Sequence, residues 1–254
     1  MQIRFNDQVV LITGASTGIG RAAAIQFGKC GANVIVNYNK SENEAKEVVQ
    51  EIQSAGSQAL AVQADVARPE EVKRLFAEAT AAFGGRIDIL VNNAGSLLER
   101  TKLADLTLAS WDRAVALNYT SVFLCSQAVI PVMKAQKFGR IINLTSVAAR
   151  NGGSPGAGHY ASAKAAVSCL TKNLAKELAA GGITVNAVSP GVISTPFHDK
   201  FTEPAMRKQF VAGIPLGREG TADEVAYTIL FLASRYADYI VGETIEINGG
   251  QMMD

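Results

Sequence analysis

The chain has 254 residues, 48% of them hydrophobic, which suits one well-buried domain rather than two small ones. Lys and Arg number 24 against 23 Asp and Glu, so the formal charge is +1 with no basic run, and a nucleic-acid partner is not expected. No apolar run is longer than a few residues and the first seven residues are polar, so neither a membrane span nor a signal peptide is expected and a cytoplasmic location is.

Short β-branched runs alternate with segments of helical periodicity. Strands are predicted at 9–13, 34–37, 60–63, 89–92, 140–144, 184–188 and 244–247, and helices at 18–28, 41–55, 69–83, 108–135, 159–179 and 222–233. Pro69 at the first turn of the third helix, followed by Glu70 and Glu71, complements the positive end of the helix dipole. The alternation is that of βαβ units, so the predicted fold class is α/β: a single-domain, doubly wound Rossmann-type parallel sheet of about seven strands with helices on both faces. A cofactor half at 7–135 and a catalytic half at 136–250 follow, with the ligand crevice at the carboxyl ends of the strands. Residues 193–217 break the rhythm around Pro196, Pro204 and Pro215, and an insertion there overhangs the crevice as a substrate lid with a short helical stretch. Cys30, Cys125 and Cys169 are far apart in apolar surroundings and read as reduced core thiols. His159 and His198 are the only histidines, so no metal site is expected.

The segment from Val10 to Gly20 runs from a predicted strand into a predicted helix with glycines at 14, 18 and 20. Glycine admits positive φ and close backbone approach, and the unpaired N–H groups that open a helix favour an anion. Gly14, Ser16, Thr17, Gly18, Ile19 and Gly20 are therefore candidate pyrophosphate contacts, with a plain turn as the alternative. The G-x3-G-x-G spacing departs from G-x-G-x-x-G, and no Lys-Ser/Thr follows as a P-loop requires. Further on, Tyr160 and Lys164 stand four positions apart in a predicted helix and share a face. A phenol titrates near ~10, so it exchanges protons at neutral pH only if something stabilises its phenolate, as a neighbouring ammonium would. An exposed Tyr beside a solvated Lys would show the same spacing.

Together, Thr13-Gly-Ala-Ser-Thr-Gly-Ile-Gly20, Asn92-Asn-Ala-Gly95, Ser146 with Tyr160-x-x-x-Lys164, and Pro190-Gly191 with Thr195 resemble the motif set of the short-chain dehydrogenase/reductase family. The resemblance covers nearly the whole chain, from Asp7 to Gly250. It implies hydride transfer between a nicotinamide and a ketone or secondary alcohol, with Tyr160 exchanging the hydroxyl proton and Ser146 hydrogen-bonding the reacting oxygen. Lys164 would lower the phenol pKa and hold the nicotinamide ribose, and Asn118 would order a water behind the lysine. Asp65 and Val66 would contact the adenine, Asn92, Ala94 and Gly95 would run along the ribose, and Pro190, Gly191, Ile193 and Thr195 would hold the nicotinamide. The interval from Ser146 to Tyr160 is 14 residues, one more than in many members, and the loop at 151–156 can absorb the addition. Asn248 stands where the family more often has Asp.

The choice between NAD and NADP is made at the end of the second strand, where a carboxylate would bind a free ribose hydroxyl and repel a phosphate. Tyr38 occupies the NAD-selecting Asp position, and Asn37, Asn39, Lys40 and Ser41 offer neutral or cationic donors, so NADP(H) is expected over NAD(H). Thr17 replaces the basic residue that many NADP-dependent members carry in the glycine loop. The resemblance extends to 3-oxoacyl-carrier-protein reductases and, alternatively, to sugar, glucose or polyol dehydrogenases. A non-catalytic dinucleotide sensor is the third reading, disfavoured by the complete set Asn118, Ser146, Tyr160 and Lys164. Arg100, Lys102, Arg150, Lys200, Arg207 and Lys208 could offer an acidic acyl-carrier protein a basic surface, or could be solvated surface residues. A homotetramer is implied, paired through the helices bearing Asn118 and Tyr160, with the closing strand at 242–250 also joining subunits.

Overall fold

A computed structural model describes residues 2–253. Seven strands form the sheet: β1 (Val9–Ile12), β2 (Asn33–Tyr38), β3 (Ala59–Gln63), β4 (Ile89–Asn92), β5 (Gly139–Leu144), β6 (Ile183–Pro190) and β7 (Thr244–Ile247). Their order is β3-β2-β1-β4-β5-β6-β7, and every pairing is parallel. The helices are α1 (Gly18–Lys29), α2 (Glu42–Ser54), α3 (Pro69–Ala82), α4 (Leu108–Val115), α5 (Ser121–Gln136), α6 (Ala148–Asn151), α7 (Gly158–Leu178), α8 (Pro196–Phe201), α9 (Pro204–Ala212) and α10 (Ala222–Ala233). The chain reverses direction across the sheet between β1 and β4, which makes that switch point a ligand crevice.

Alternation along the strands builds two cores. In β1, Val10 and Ile12 join Val34, Val36, Phe27, Ile52 and Ile229 on one face, while Val9 and Leu11 join Ile35, Leu90, Val129, Met133 and Leu178 on the other. A strand apolar on both faces is therefore stable only with helices on both sides. At α10 a reciprocal box, Thr221 capping Glu224 and Glu224 returning to Thr221, starts the helix at the position the sequence predicts.

Three expectations change. The predicted helix at 108–135 is a continuous helical stretch interrupted by a π segment at Ala116–Thr120, which carries Asn118. By length and composition Leu108–Gln136 could cross a membrane, but Cys125, Val129 and Met133 are fully buried in the second core, so it serves as a core helix. The overhanging segment holds two helices, α8 and α9, because Pro196 and Pro204 each open one. Of the three cysteines only Cys125 is buried; Cys169 is exposed because its position on α7 faces away from the sheet. Minor differences lie at strand ends, where β6 runs on to Pro190 through its pairing with Ile247.

Candidate active site

The glycine loop, the end of β2 and the segments leaving β4, β5 and β6 surround one cavity of about 570 Å³. Gly14 takes φ +61°, a conformation that disfavours a side chain, and its N–H donates to Asn37 Oδ1 at 3.1 Å. Asn93, which sequence reasoning passed over, holds the loop from the other side: its Nδ2 donates to the carbonyls of Thr13 at 2.8 Å and Gly14 at 2.9 Å. A Cβ on Gly20 would collide with both Asn93 Nδ2 and Gly14 O, so that glycine lets α1 close onto the loop. Thr17 makes no side-chain cap, which leaves the first-turn amides of α1 facing the cavity wall. A chain that keeps such a cradle open fits a dinucleotide phosphate.

The expected cofactor residues divide. Gly14, Ser16, Thr17, Gly18, Ile19, Asn39, Lys40, Ala94, Gly95, Pro190, Gly191, Ile193 and Thr195 line the cavity. Tyr38 does not, because strand alternation turns its ring into the first core. Asn37 is equally unavailable: it is buried and its amide is spent on Gly14, Val62 and Ala64. Val66 packs in the second core, and Asp65 Oδ1 accepts from Ala67 N at 3.0 Å in a turn ahead of α3. Asn92 is buried and donates to Ser126 Oγ at 3.2 Å and Asn143 Oδ1 at 2.9 Å, so it ties β4 to β5 and α5. Gly20 and Asn118 likewise stand behind the cavity wall.

The catalytic candidates converge from three elements. Ser146 follows β5, and Tyr160 and Lys164 come from α7. Tyr160 is pushed up to about 12 by burial, against which a hydrogen bond with Ser146 acts. Lys164 is 3% exposed, and its Nζ donates to Leu144 O at 2.8 Å and lies 5.8 Å from the centre of the Tyr160 ring. Burial brings the lysine down to about 8. Desolvation therefore dominates the phenol, with the Ser146 hydrogen bond opposing it, while the ammonium is held by the Leu144 carbonyl. Asn118 is fully buried in the π segment, a common device at functional sites. Its Nδ2 donates to Ser96 O at 2.8 Å and Ala114 O at 2.9 Å, and its Oδ1 accepts from Ser96 N at 2.9 Å. A Cβ on Gly95 would lie 2.8 Å from Asn118 Oδ1 and 3.1 Å from Lys164 Nζ, which shows how closely the three meet.

Over this group lies an aromatic cluster from α8. Phe197 sits 5.8 Å from Tyr160 and 5.3 Å from Phe201, ring centre to ring centre. No carboxylate lines the cavity among the described residues, whereas Lys40, Arg100 and Lys164 all do. The expected basic surface is not free as a whole: Arg207 is held by Glu219 and Asp199, and Arg150 pairs with Glu246.

The family model described as enoyl-(acyl carrier protein) reductase matches residues 14–252. A 3-oxoacyl-[acyl-carrier-protein] reductase of Synechocystis sp. is 48% identical over 248 residues, 97% of each chain. The 3-oxoacyl-[acyl-carrier-protein] reductase FabG of Staphylococcus epidermidis is 44% identical over 97% of this chain and 100% of its own. That of Staphylococcus aureus strain Mu50 is 44% identical over 96% of this chain and 97% of its own. With these matches, a parallel seven-stranded sheet and a phosphate cradle at its switch point, the chain belongs to the short-chain dehydrogenase/reductase family and is an oxidoreductase that uses a nicotinamide cofactor.

Proposed function

We propose that this chain reduces the keto group of a 3-oxoacyl thioester, with NADPH preferred to NADH. The observation that carries the reading is the meeting of Ser146, Tyr160 and Lys164 in a cavity that also carries Lys40 and that, among the described residues, no carboxylate lines. The names of the relatives supply the substrate class.

Residues 14–19 and the opening amides of α1 would hold the pyrophosphate. Asn39, Lys40 and Ser41 would take the adenosine ribose with its phosphate, Ala94, Gly95 and Lys164 the second ribose, and Pro190, Gly191, Ile193 and Thr195 the nicotinamide. When bound, the nicotinamide supplies or accepts the hydride. Tyr160 stays protonated through neutral pH because burial raises it to about 12, which suits a donor to the oxygen of a ketone undergoing reduction. Ser146 orients that oxygen and the phenol together. Lys164 keeps a positive charge beside the phenol, lowering the cost of the phenolate left after transfer. Asn118 fixes the Gly95–Ser96 turn against which the lysine rests and supports proton resupply to it. The segment at 193–217 covers the cavity, and Phe197 keeps water from the phenol.

The same reading makes the enzyme a soluble, cytoplasmic homotetramer, paired through the faces of α5 and α7 that leave Phe123 and Cys169 exposed. Monomeric sedimentation would count against that assembly. The substrate class is tested by NADPH oxidation with 3-oxoacyl thioesters, sugars, polyols and α-diketones in parallel: thioesters should give the highest kcat/KM, and a sugar or polyol in first place would reject the reading.

A further inference from the structure

Of the three cations lining the cavity, Lys40 and Lys164 serve the cofactor and the phenol in the reading above, and Arg100 has no task. Arg100 lies in the loop after β4 and lines the cavity at the end covered by α8. A guanidinium has five N–H donors. Here Nε and Nη2 donate to Phe201 O at 3.2 and 3.1 Å, and Nη1 donates to Ser154 Oγ at 2.5 Å and Pro155 O at 3.2 Å. Every one of these acceptors is neutral, and one Nη2 hydrogen is left without a partner among the described residues.

Among the described residues no carboxylate pairs with this charge. Glu99, next in sequence, accepts from Thr101 and Ser110. Asp199, on α8, and Glu219 are both held by Arg207. Burial accordingly lowers the Arg100 pKa, with no opposing attraction. Tying α8 to the loop of Ser154 and Pro155 needs donors but no charge, and a neutral amide would be cheaper to desolvate. A fixed fork carrying an unpaired positive charge is instead the geometry that recognises a carboxylate or phosphate.

We propose that Arg100 anchors an anionic group of the substrate, a carboxylate or a phosphate, at the α8 end of the cavity. The inference deepens the reductase reading and rests on it. Phe201, whose carbonyl Arg100 holds, is linked to Tyr160 through the Phe197 ring, so the anion and the reacting carbonyl sit at opposite ends of the bound substrate. A carboxylate would belong to a compact oxo acid, and a phosphate to a longer carrier arm.

Two matched pairs separate these sources: acetoacetate against its methyl ester, and acetoacetyl-coenzyme A against the acetoacetyl thioester of N-acetylcysteamine. In Arg100→Gln, kcat/KM should fall about 30-fold or more for the anionic member of one pair and less than about threefold for its neutral partner, the loss of one charge-assisted hydrogen bond. The affected pair identifies the anion. Equal losses within both pairs would overturn the inference, since a merely structural role at α8 affects neutral and anionic substrates alike. Arg100→Lys should recover part of the anionic preference, and Ser154→Ala, which removes a neutral acceptor and keeps the charge, should retain it. If Arg100→Gln fails to fold, these two variants carry the test: a preference that Arg100→Lys and Ser154→Ala lower equally would refute it. Ligand-observed NMR of acetoacetate and inorganic phosphate with the NADP-saturated protein reads the site without turnover. Binding of either anion that Arg100→Gln abolishes supports the inference, and binding of neither overturns it. Wild-type protein that binds an anion at Arg100 yet reduces none of the four compounds would reject the reductase reading and leave the anion site standing.

Discussion

Replacing Lys164 by Met removes a buried ammonium from the catalytic half, and the structure gives both the sign and the size of the effect on stability. Burial lowers the lysine from its ordinary 10.5 to about 8. That gap corresponds to a destabilisation of about 3 kcal/mol at ~1.4 kcal/mol per pKa unit. The folded pKa lies below the unfolded one, so the unfolded chain holds the proton more tightly. The cost is therefore complete below pH 8, is relieved as the pH rises from 8 to 10.5, and is absent above that. The variant also loses the hydrogen bond to Leu144 O, which offsets about 1–2 kcal/mol of the gain. Lys164→Met should thus be more stable than wild type by about 1–2 kcal/mol at pH 7, which for a chain of this size raises Tm by roughly 2–8 °C. Thermal unfolding of both proteins between pH 7 and 10 is the assay. The variant's advantage should hold to about pH 8 and shrink above it, while its turnover is lost throughout. A variant less stable than wild type at pH 7, with a gap that does not change with pH, would refute the reasoning: the ammonium would then be a net stabiliser through Leu144.

Lys40→Glu places a carboxylate beside the proposed ribose phosphate, and the ratio of kcat/KM for NADPH to that for NADH should fall by about 100-fold or more, the cost of a like-charge contact. An unchanged ratio would remove Lys40 from cofactor selection. Gly20→Ala drives a methyl group into Asn93 and Gly14, and chemical denaturation should show a loss of about 1–3 kcal/mol; a neutral result would mean that the glycine loop can yield. Phe197→Ala uncovers the phenol, so an ultraviolet difference titration should find Tyr160 below its value of about 12, with KM raised more than kcat is lowered. A phenol that does not shift would assign its desolvation to other neighbours.

The periodicities of the sequence carried the sheet well, because a strand buried on both faces and a helix with one apolar stripe are both written in local spacing. The start of α10 at Ala222 followed from the same periodicity, and the structure adds the capping box of Thr221 and Glu224 that fixes it. Local spacing says nothing of how a helix is wound inside, so the π segment around Asn118 was visible only as an asparagine ill-suited to a helix interior. The site divided along the same line. Residues whose backbone meets the cavity, such as Gly14 and Gly191, follow from motif position alone. Residues whose side chain decides the matter do not: Tyr38 turns inward by one step of strand alternation, and Asn93 acts through a contact 79 residues away. Arg100 was readable as a surface cation, and its place in the cavity wall depends on Phe201 and Ser154, far along the chain.

The central claim is that Tyr160 donates the proton in an NADPH-dependent reduction of a 3-oxoacyl thioester. It is tested most directly by following NADPH oxidation with acetoacetyl-coenzyme A in wild type and in Tyr160→Phe, alongside NADPH binding by fluorescence. Wild type should turn over, and the variant should lose about 1,000-fold or more in kcat, the worth of a positioned general acid, while binding NADPH as wild type does. A variant that keeps its turnover would contradict the account.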